Sequence, residues 1–240
     1  MLILGFDTTS THGGAALFQD SERLGEVHSE GGANYSVQLF EMTNRLLAAA
    51  GLKLADVDLF AVATGPGSFT GIRVGLAAAQ GWARALARPV RGVSVFEAMV
   101  AQASPPGRIA VPLLDAHRGE FYLGIFRNAG QNSGPQPGGA WTRPAEGLAL
   151  DPARIRALAG ELQSETGTGV TFIGREDDEP ASALRLGLPQ VLSWRVVPSF
   201  LAGAIARVAG EIARDGSPQR PDDLDACYIR RSDAELNWRE

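Results

Sequence analysis

A mixed α/β layer is the fold class this sequence predicts, on two observations. Three short apolar segments follow one another across glycine and acidic turns, and helical and strand-like patterns then alternate. Leu2 to Asp7 is a continuous apolar run closed by an acid, the pattern of a buried strand. Gly13-Gly14 precedes a second strand, Ala15 to Phe18, and Asp20-Ser21-Glu22 turns into a third, Arg23 to His28. A meander of this kind ahead of alternating elements excludes a purely doubly wound sheet.

Tyr35 to Ala50 carries apolar residues at helical spacing, with Leu39, Met42, Leu46, Leu47 and Ala50 on one face. Leu59 to Ala63 reads as a fourth strand and Phe69 to Ala87 as a long helix. Val90 to Val93 is a short strand and Phe96 to Ala103 a short helix. Ala103-Ser104-Pro105-Pro106-Gly107 marks a domain boundary. Domains are therefore expected at 1–104 and 105–240, with the segment from about 217 able to return to the first. In the second half, Ile109 to Leu114 and Glu120 to Phe126 flank a turn as a hairpin, and Asn128 to Gly139 reads as a loop. Asp151-Pro152 opens a helix with an N-cap and a proline at its first position. Val170 to Ile173 reads as a strand, and Ser199 to Arg214 as a helix capped by Ser199. The two halves echo each other in element order.

The chain has 240 residues, 45% of them hydrophobic and 20% charged, which is ample for a folded core. No apolar run is long enough to span a membrane. The first residues lack a basic segment before their apolar stretch, so a soluble, cytoplasmic protein is expected. Cys227 stands alone, which excludes an intrachain disulfide and a cysteine metal cluster. The net charge of −5 and the scattered arginines argue against autonomous nucleic-acid binding.

The segment Thr64-Gly65-Pro66-Gly67-Ser68-Phe69-Thr70-Gly71-Ile72-Arg73-Val74-Gly75 runs from the fourth strand into the long helix. Gly71 and Gly75 each cost about 1 kcal/mol relative to alanine inside a helix. Something must therefore come close to that helix. A phosphate at its N-terminus is one reading, since Ser68, Thr70 and free amides lie at a helix start. The lysine of a phosphate-binding loop is missing, however, and the glycine spacing is one residue too long for a dinucleotide fingerprint. A tight capped turn accounts for the loop equally well. A second helix is the other reading: Gly71, Gly75, Ala78, Ala79, Gly81 and Ala85 are small residues at three- and four-residue spacing. Ile72, Val74, Leu76, Trp82 and Leu86 extend its apolar character around the circumference, so it needs cover on more than one side. The Tyr35–Ala50 helix, with Phe40 outside its main stripe, is similarly broad. Burial of both helices within the monomer is the competing account.

Asp7-Thr8-Thr9-Ser10 could place a carboxylate and hydroxyls by a nucleotide's phosphates and magnesium, or could form an Asx or Ser/Thr turn. Asp115 and His117 could pair for acid–base chemistry, although a salt bridge within the turn accounts for them as well. No two of His12, His28 and His117 have the spacing of a helical metal pair. Asp177-Asp178-Glu179 reads as a solvated loop.

Several segments together resemble one family. They are Ile3-Leu4-Gly5-Phe6-Asp7-Thr8-Thr9, the motif Gly65-Pro66-Gly67-Ser68-Phe69-Thr70-Gly71-Ile72-Arg73, the run from Asp115 to Tyr122, and the terminal Tyr228-Ile229-Arg230. In order and content they are similar to the TsaB family, also called YeaZ, of bacterial threonylcarbamoyladenosine synthesis on tRNA. The likeness spans nearly the whole chain and is weakest from about Gly130 to Ser193.

The resemblance implies two related α/β domains of the actin, sugar-kinase and heat-shock-ATPase fold, which is ribonuclease H-like. It implies a non-catalytic partner of the TsaD subunit, which transfers threonylcarbamoyl to N6 of adenosine 37, with the ATPase TsaE completing the group. Pairing with TsaD, or with a second copy when alone, would use the Tyr35–Ala50 and Phe69–Ala87 helices. Leu39, Phe40, Thr43, Leu46 and Leu47 of the first, with Gly71, Val74, Gly75, Ala78 and Trp82 of the second, are the expected interface. No metal and no cofactor of its own are implied, with ATP or ADP held in the complex and tRNA met only through it. Asp7, Thr8, Thr9, Gly67 and Ser68 would form a degenerate nucleotide site. A stand-alone ATPase, kinase or metallopeptidase of the same fold is the alternative. Three departures stand out: Tyr35 where many relatives carry histidine, His117 in place of the usual arginine, and Ala226-Cys227 where proline usually precedes the tyrosine.

Overall fold

The computed structural model describes residues 1–29, 35–128, 141–142, 147–166, 169–189, 192–214, 216 and 219–229. Leu2–Asp7 (β1), Gly14–Gln19 (β2) and Glu22–His28 (β3) form the expected antiparallel meander. Tyr35–Ala49 (α1) then leads to Leu59–Ala63 (β4), which pairs in parallel with β1. Phe69–Leu86 (α2) leads to Val90–Val93 (β5), parallel to β4, and Val95–Ala103 (α3) follows. The sheet order is β3-β2-β1-β4-β5. Along β1, alternate side chains take opposite faces. Leu2, Leu4 and Phe6 join a core cluster with Leu39, Leu46 and Leu47 of α1 and Ile72, Leu76 and Ala79 of α2.

The second unit repeats this plan. Ile109–Asp115 (β6) is followed by Phe121–Leu123 (β7), Phe126–Asn128 (β8), Trp141–Thr142 (β9) and Leu148–Leu150 (β10). Pro152–Thr166 (α4), Val170–Arg175 (β11), Glu179–Arg185 (α5) and Ser193–Val197 (β12) complete it. Its sheet order, β10-β7-β6-β11-β12, has the same succession of antiparallel and parallel pairs as the first sheet, with β8 pairing β6 and β9. Ile109, Val111 and Leu113 of β6 meet Ile155, Ala159 and Leu162 of α4 in its core.

Three expectations need correction here. Glu120 to Phe126 is not one strand: β7 and β8 keep a common register on β6 but are interrupted opposite Pro112. Proline has no amide hydrogen to complete the ladder, and only the Gly124 amide donates there, to the Pro112 carbonyl at 3.2 Å. Second, Asp177-Asp178-Glu179 is no solvated loop, because buried Asp178 caps α5 by accepting from the Ala181 amide at 2.9 Å. Third, the last helix, Ala202–Arg214 (α6), starts three residues after Ser199. A carboxylate from another strand serves its N-terminus, since Gly203 N donates to Glu26 Oε1 at 3.2 Å, a favourable charge for that end of a helix.

The chain divides into two compact units, Met1–Gln102 with Pro198–Ala226, and Ala103–Val197 with the described residues from Cys227. The helix α6, placed by the sequence in the second domain, belongs to the first. It packs on β1 with almost no side chain between them: a Cβ on Gly5 would lie 2.7 Å from both Ala202 O and Ala206 Cβ. That close approach recovers dispersion contacts that a larger residue would forbid. The 129–139 part of the expected Asn128–Gly139 loop lies outside the described residues.

A closed glycine turn and the exposed face of two helices

The glycine segment leaves β4 and enters α2 through a turn that the chain itself fills. Gly65 and Pro66 are joined by a cis peptide bond and Gly67 has φ +155°. Ser68 caps the helix, its Oγ accepting from Gly71 N at 3.2 Å. The loop after β1 lies directly against this turn. Thr8 Oγ1 donates to Gly71 O at 2.7 Å, and Ser68 N donates to Thr9 O at 2.7 Å. Within the loop, Asp7 Oδ1 accepts from Thr9 N at 2.9 Å and from Thr9 Oγ1 at 2.6 Å. The Asx-type turn reading of this segment is therefore the one the geometry follows.

The glycines answer to that loop. A Cβ on Gly71 would stand 1.8 Å from Thr8 O, and one on Gly75 would stand 2.6 Å from Thr8 Oγ1 and 3.2 Å from Val62 Cγ2. On Gly67 it would meet Thr9 O at 2.4 Å. A partner helix is not what these positions accommodate; the close approach is the chain's own β1–β2 loop. Asp7, Thr8, Thr9, Gly67 and Ser68 do come together, but they bond to one another. Two of the amides at this helix start, those of Ser68 and Gly71, are already donated within the chain.

Most of the expected interface residues are likewise interior. Leu39, Thr43, Leu46 and Leu47 of α1 are buried, as are Gly71, Gly75, Ala78 and Trp82 of α2, while Val74 is half-buried. Of the ten, only Phe40 is exposed, at 46%, and its ring meets the Trp82 ring edge-on at 5.2 Å. The face the helices present instead is formed by Val37 and Phe40 of α1 and by Phe69, Arg73, Ala77, Gly81 and Ala85 of α2. A Cβ on Gly81 would meet nothing within 4 Å, in contrast to Gly71 and Gly75. Arg73 lays its guanidinium over the Phe69 ring, 3.9 Å from the centroid, a cation–π pair at the start of α2. Sequence periodicity marked the small residues of α2 but not which of them face inward. Tyr35 begins α1, and its side chain lies outside the described residues.

In the second unit Asp115 ends β6 as Asp7 ends β1. Its Oδ1 accepts from His117 N at 2.8 Å, and its Oδ2 lies 3.1 Å from His117 Nδ1, which is the turn bridge rather than an acid–base pair aimed at a substrate. The Asp115 amide donates to Asp178 Oδ2 at 2.8 Å. Burial pushes the Asp178 carboxyl up from its ordinary value, against the two amide bonds it accepts. Among the described residues no group of three His, Cys, Asp or Glu is placed to hold a metal ion. No helix among them is long and apolar enough to cross a membrane.

A repeated five-strand order, three strands antiparallel and then two parallel, with a first strand ending in aspartate, defines a two-unit protein of the ribonuclease H-like class to which actin and the sugar kinases belong. Residues 24–178 match the model of the family described as TsaD, tRNA N6-adenosine threonylcarbamoyltransferase. The chain belongs to this family, among its TsaB (YeaZ) members. It is 32% identical over 127 residues to the tRNA threonylcarbamoyladenosine biosynthesis protein TsaB of Bacillus subtilis, covering 53% of this chain and 56% of that one. To the Escherichia coli TsaB it is 29% identical over 176 residues, 70% of this chain and 72% of that protein. The chain thus spans about half the length of the first of these relatives. YeaZ from Pseudomonas aeruginosa shares the fold, with a TM-score of 0.72 at 23% identity over 95% of this chain and 99% of that one.

Proposed function

We propose that this chain is a non-catalytic accessory subunit that pairs with a TsaD-type subunit, which transfers threonylcarbamoyl to N6 of adenosine 37 in tRNA. The observation that carries the reading is the exposure of apolar and small residues on both helices, Val37 and Phe40 on α1 and Phe69, Ala77 and Gly81 on α2. Aromatic side chains beside a small-residue groove suit a partner helix, which can approach the backbone closely there. A standard interface of about 800 Å² per partner is within reach of two helices of this length. The free chain uses the same face for a homodimer. TsaE joins through the assembly, tRNA is met only through the complex, and the site of action is cytoplasmic. ATP or ADP of the complex belongs to the partner, because the Asp7–Thr9 loop and the Gly67–Ser68 turn are closed on each other.

The test is to mix the purified chain with TsaD and measure mass by light scattering. A heterodimer is expected, and Ala77→Arg or Gly81→Arg abolishes it without lowering the thermal melt. Intact pairing in both variants removes the interface. Hydrolysis of ATP by the chain alone, lost in Asp7→Ala, overturns the non-catalytic assignment.

A further inference from the structure

Residues 219–226 cross the first unit as a strap in which Leu224 alone is buried, at 4% exposure. The strap meets β5, the terminal strand of its sheet, at Gln219 in a single antiparallel bridge, and then turns through a short 3-10 helix at Pro221–Asp223. Val90 N donates to Gln219 O at 3.3 Å, and Gly92 N donates to Gln219 Oε1 at 3.1 Å. These are outward amides of alternate residues, so one glutamine stands in for a sixth strand with a backbone and a side-chain carbonyl. Leu224 fills the hollow over Gly92, where a Cβ would lie 2.8 Å from Leu224 Cδ1 and 2.5 Å from Thr64 Cγ2. From α2, Gln80 Nε2 donates to both Pro221 O and Leu224 O, each at 3.1 Å. One turn on, Arg84 pairs with Asp222.

We propose that the edge of β5 and the flank of α2 form a groove for a short turn-containing peptide, and that residues 219–226 occupy it in cis as a releasable strap latched by Gln80. The groove recognises the two carbonyls of one glutamine at the β5 edge and one aliphatic side chain over Gly92, a strand-edge contact one residue long. Release is built in because the attachment is narrow: the two Gln219 carbonyls at the β5 edge, buried Leu224 with partly buried Ala226, one side-chain amide and an exposed ion pair. Strap and latch lie at the border of the exposed α2 arc, where Gln80 and Arg84 follow Arg73 and Ala77 at helical spacing. A chain seated on α2 can therefore compete for Arg84 and loosen the strap. The groove itself does not depend on the TsaD reading, since every contact in it is intramolecular.

The test uses the full-length chain and hydrogen exchange at the Val90 and Gly92 amides, whose outward protection the strap supplies. Gln80→Glu is nearly isosteric, but an ionised carboxylate has no hydrogen for the two carbonyls that Gln80 serves. Exchange at Val90 and Gly92 is expected to quicken by roughly tenfold or more while β1 and β4 amides stay unchanged. A synthetic peptide of residues 219–226, added to Leu224→Asp, whose groove keeps Gln80, restores the protection, and wild-type chain does not take it up. Unchanged exchange in Gln80→Glu overturns the latch. A peptide that restores nothing, or that binds wild type equally well, overturns the cis-occupied groove.

Discussion

Thr8 Oγ1 donates a 2.7 Å hydrogen bond to the carbonyl of Gly71, and this contact ties the end of the first strand to the first turn of α2. Two glycines of one helix then have opposite roles. Gly71→Ala would drive a Cβ to 1.8 Å from Thr8 O, so loop and helix must part, and a loss of more than about 3 kcal/mol is expected. Gly81→Ala faces open space and is expected to gain about 0.5–1 kcal/mol from helix propensity. Urea unfolding of the two variants checks both signs, and equal effects would refute the close-approach account.

Thr43 lies in the middle of α1 at 1% exposure, and its hydroxyl has no hydrogen-bond partner among the described residues. Valine has the same shape without the unmet polar group. Thr43→Val is therefore expected to raise stability by roughly 1 kcal/mol, read as a higher melting temperature. A lower one would show that the hydroxyl is satisfied in solution.

The meander, β4, α2 and β5 were legible because each carries an unmixed signal: apolar runs closed by turn residues, then a helical period with a serine cap. The elements β9, β10, α5 and β12 were not. They are short, and Asp178 resembles a solvated acid until the Asp115 amide and α5 are brought to it. The candidate site failed on direction rather than on membership. Spacing placed Gly71, Gly75, Ala78 and Gly81 on one helix, but only the Thr8 contact separates the inward glycines from the open one. Gln80 left no signal at all, since its two acceptors are carbonyls more than a hundred residues away in sequence.

The two faces of α1 should respond differently to truncation. Leu39 is fully buried in the core of the first unit, and Leu39→Ala is expected to cost about 2–5 kcal/mol in urea unfolding. Phe40→Ala removes a side chain that is 46% exposed and is expected to cost less than Leu39→Ala, while weakening self-association or pairing with TsaD by tenfold or more. The pair is informative only together: if Phe40→Ala changes stability and not association, the exposed face is structural.

Asp178 supplies the pH dependence. Burial raises its carboxyl above the ordinary 3.8, and the nearby Asp115 and Asp177 add to the rise, while the amides of Ala181 and Asp115 oppose it. Below the unfolded value the carboxyl is neutral in both states, and its contribution to stability is fully present. As pH rises through the raised native value, the folded protein must ionise a buried group, and that contribution is lost. Asp178→Asn carries no charge at any pH and keeps the shape of the neutral acid. The stability of the wild type relative to this variant is therefore expected to be greatest near pH 3–4, to fall as pH rises above about 4, and to level off once the native group has ionised. Paired urea titrations at several pH values measure the difference. A relative stability that climbs with pH would mean that the two amide bonds outweigh desolvation, and Asp178 would then be a charged cap joining β6 to α5 rather than a buried acid.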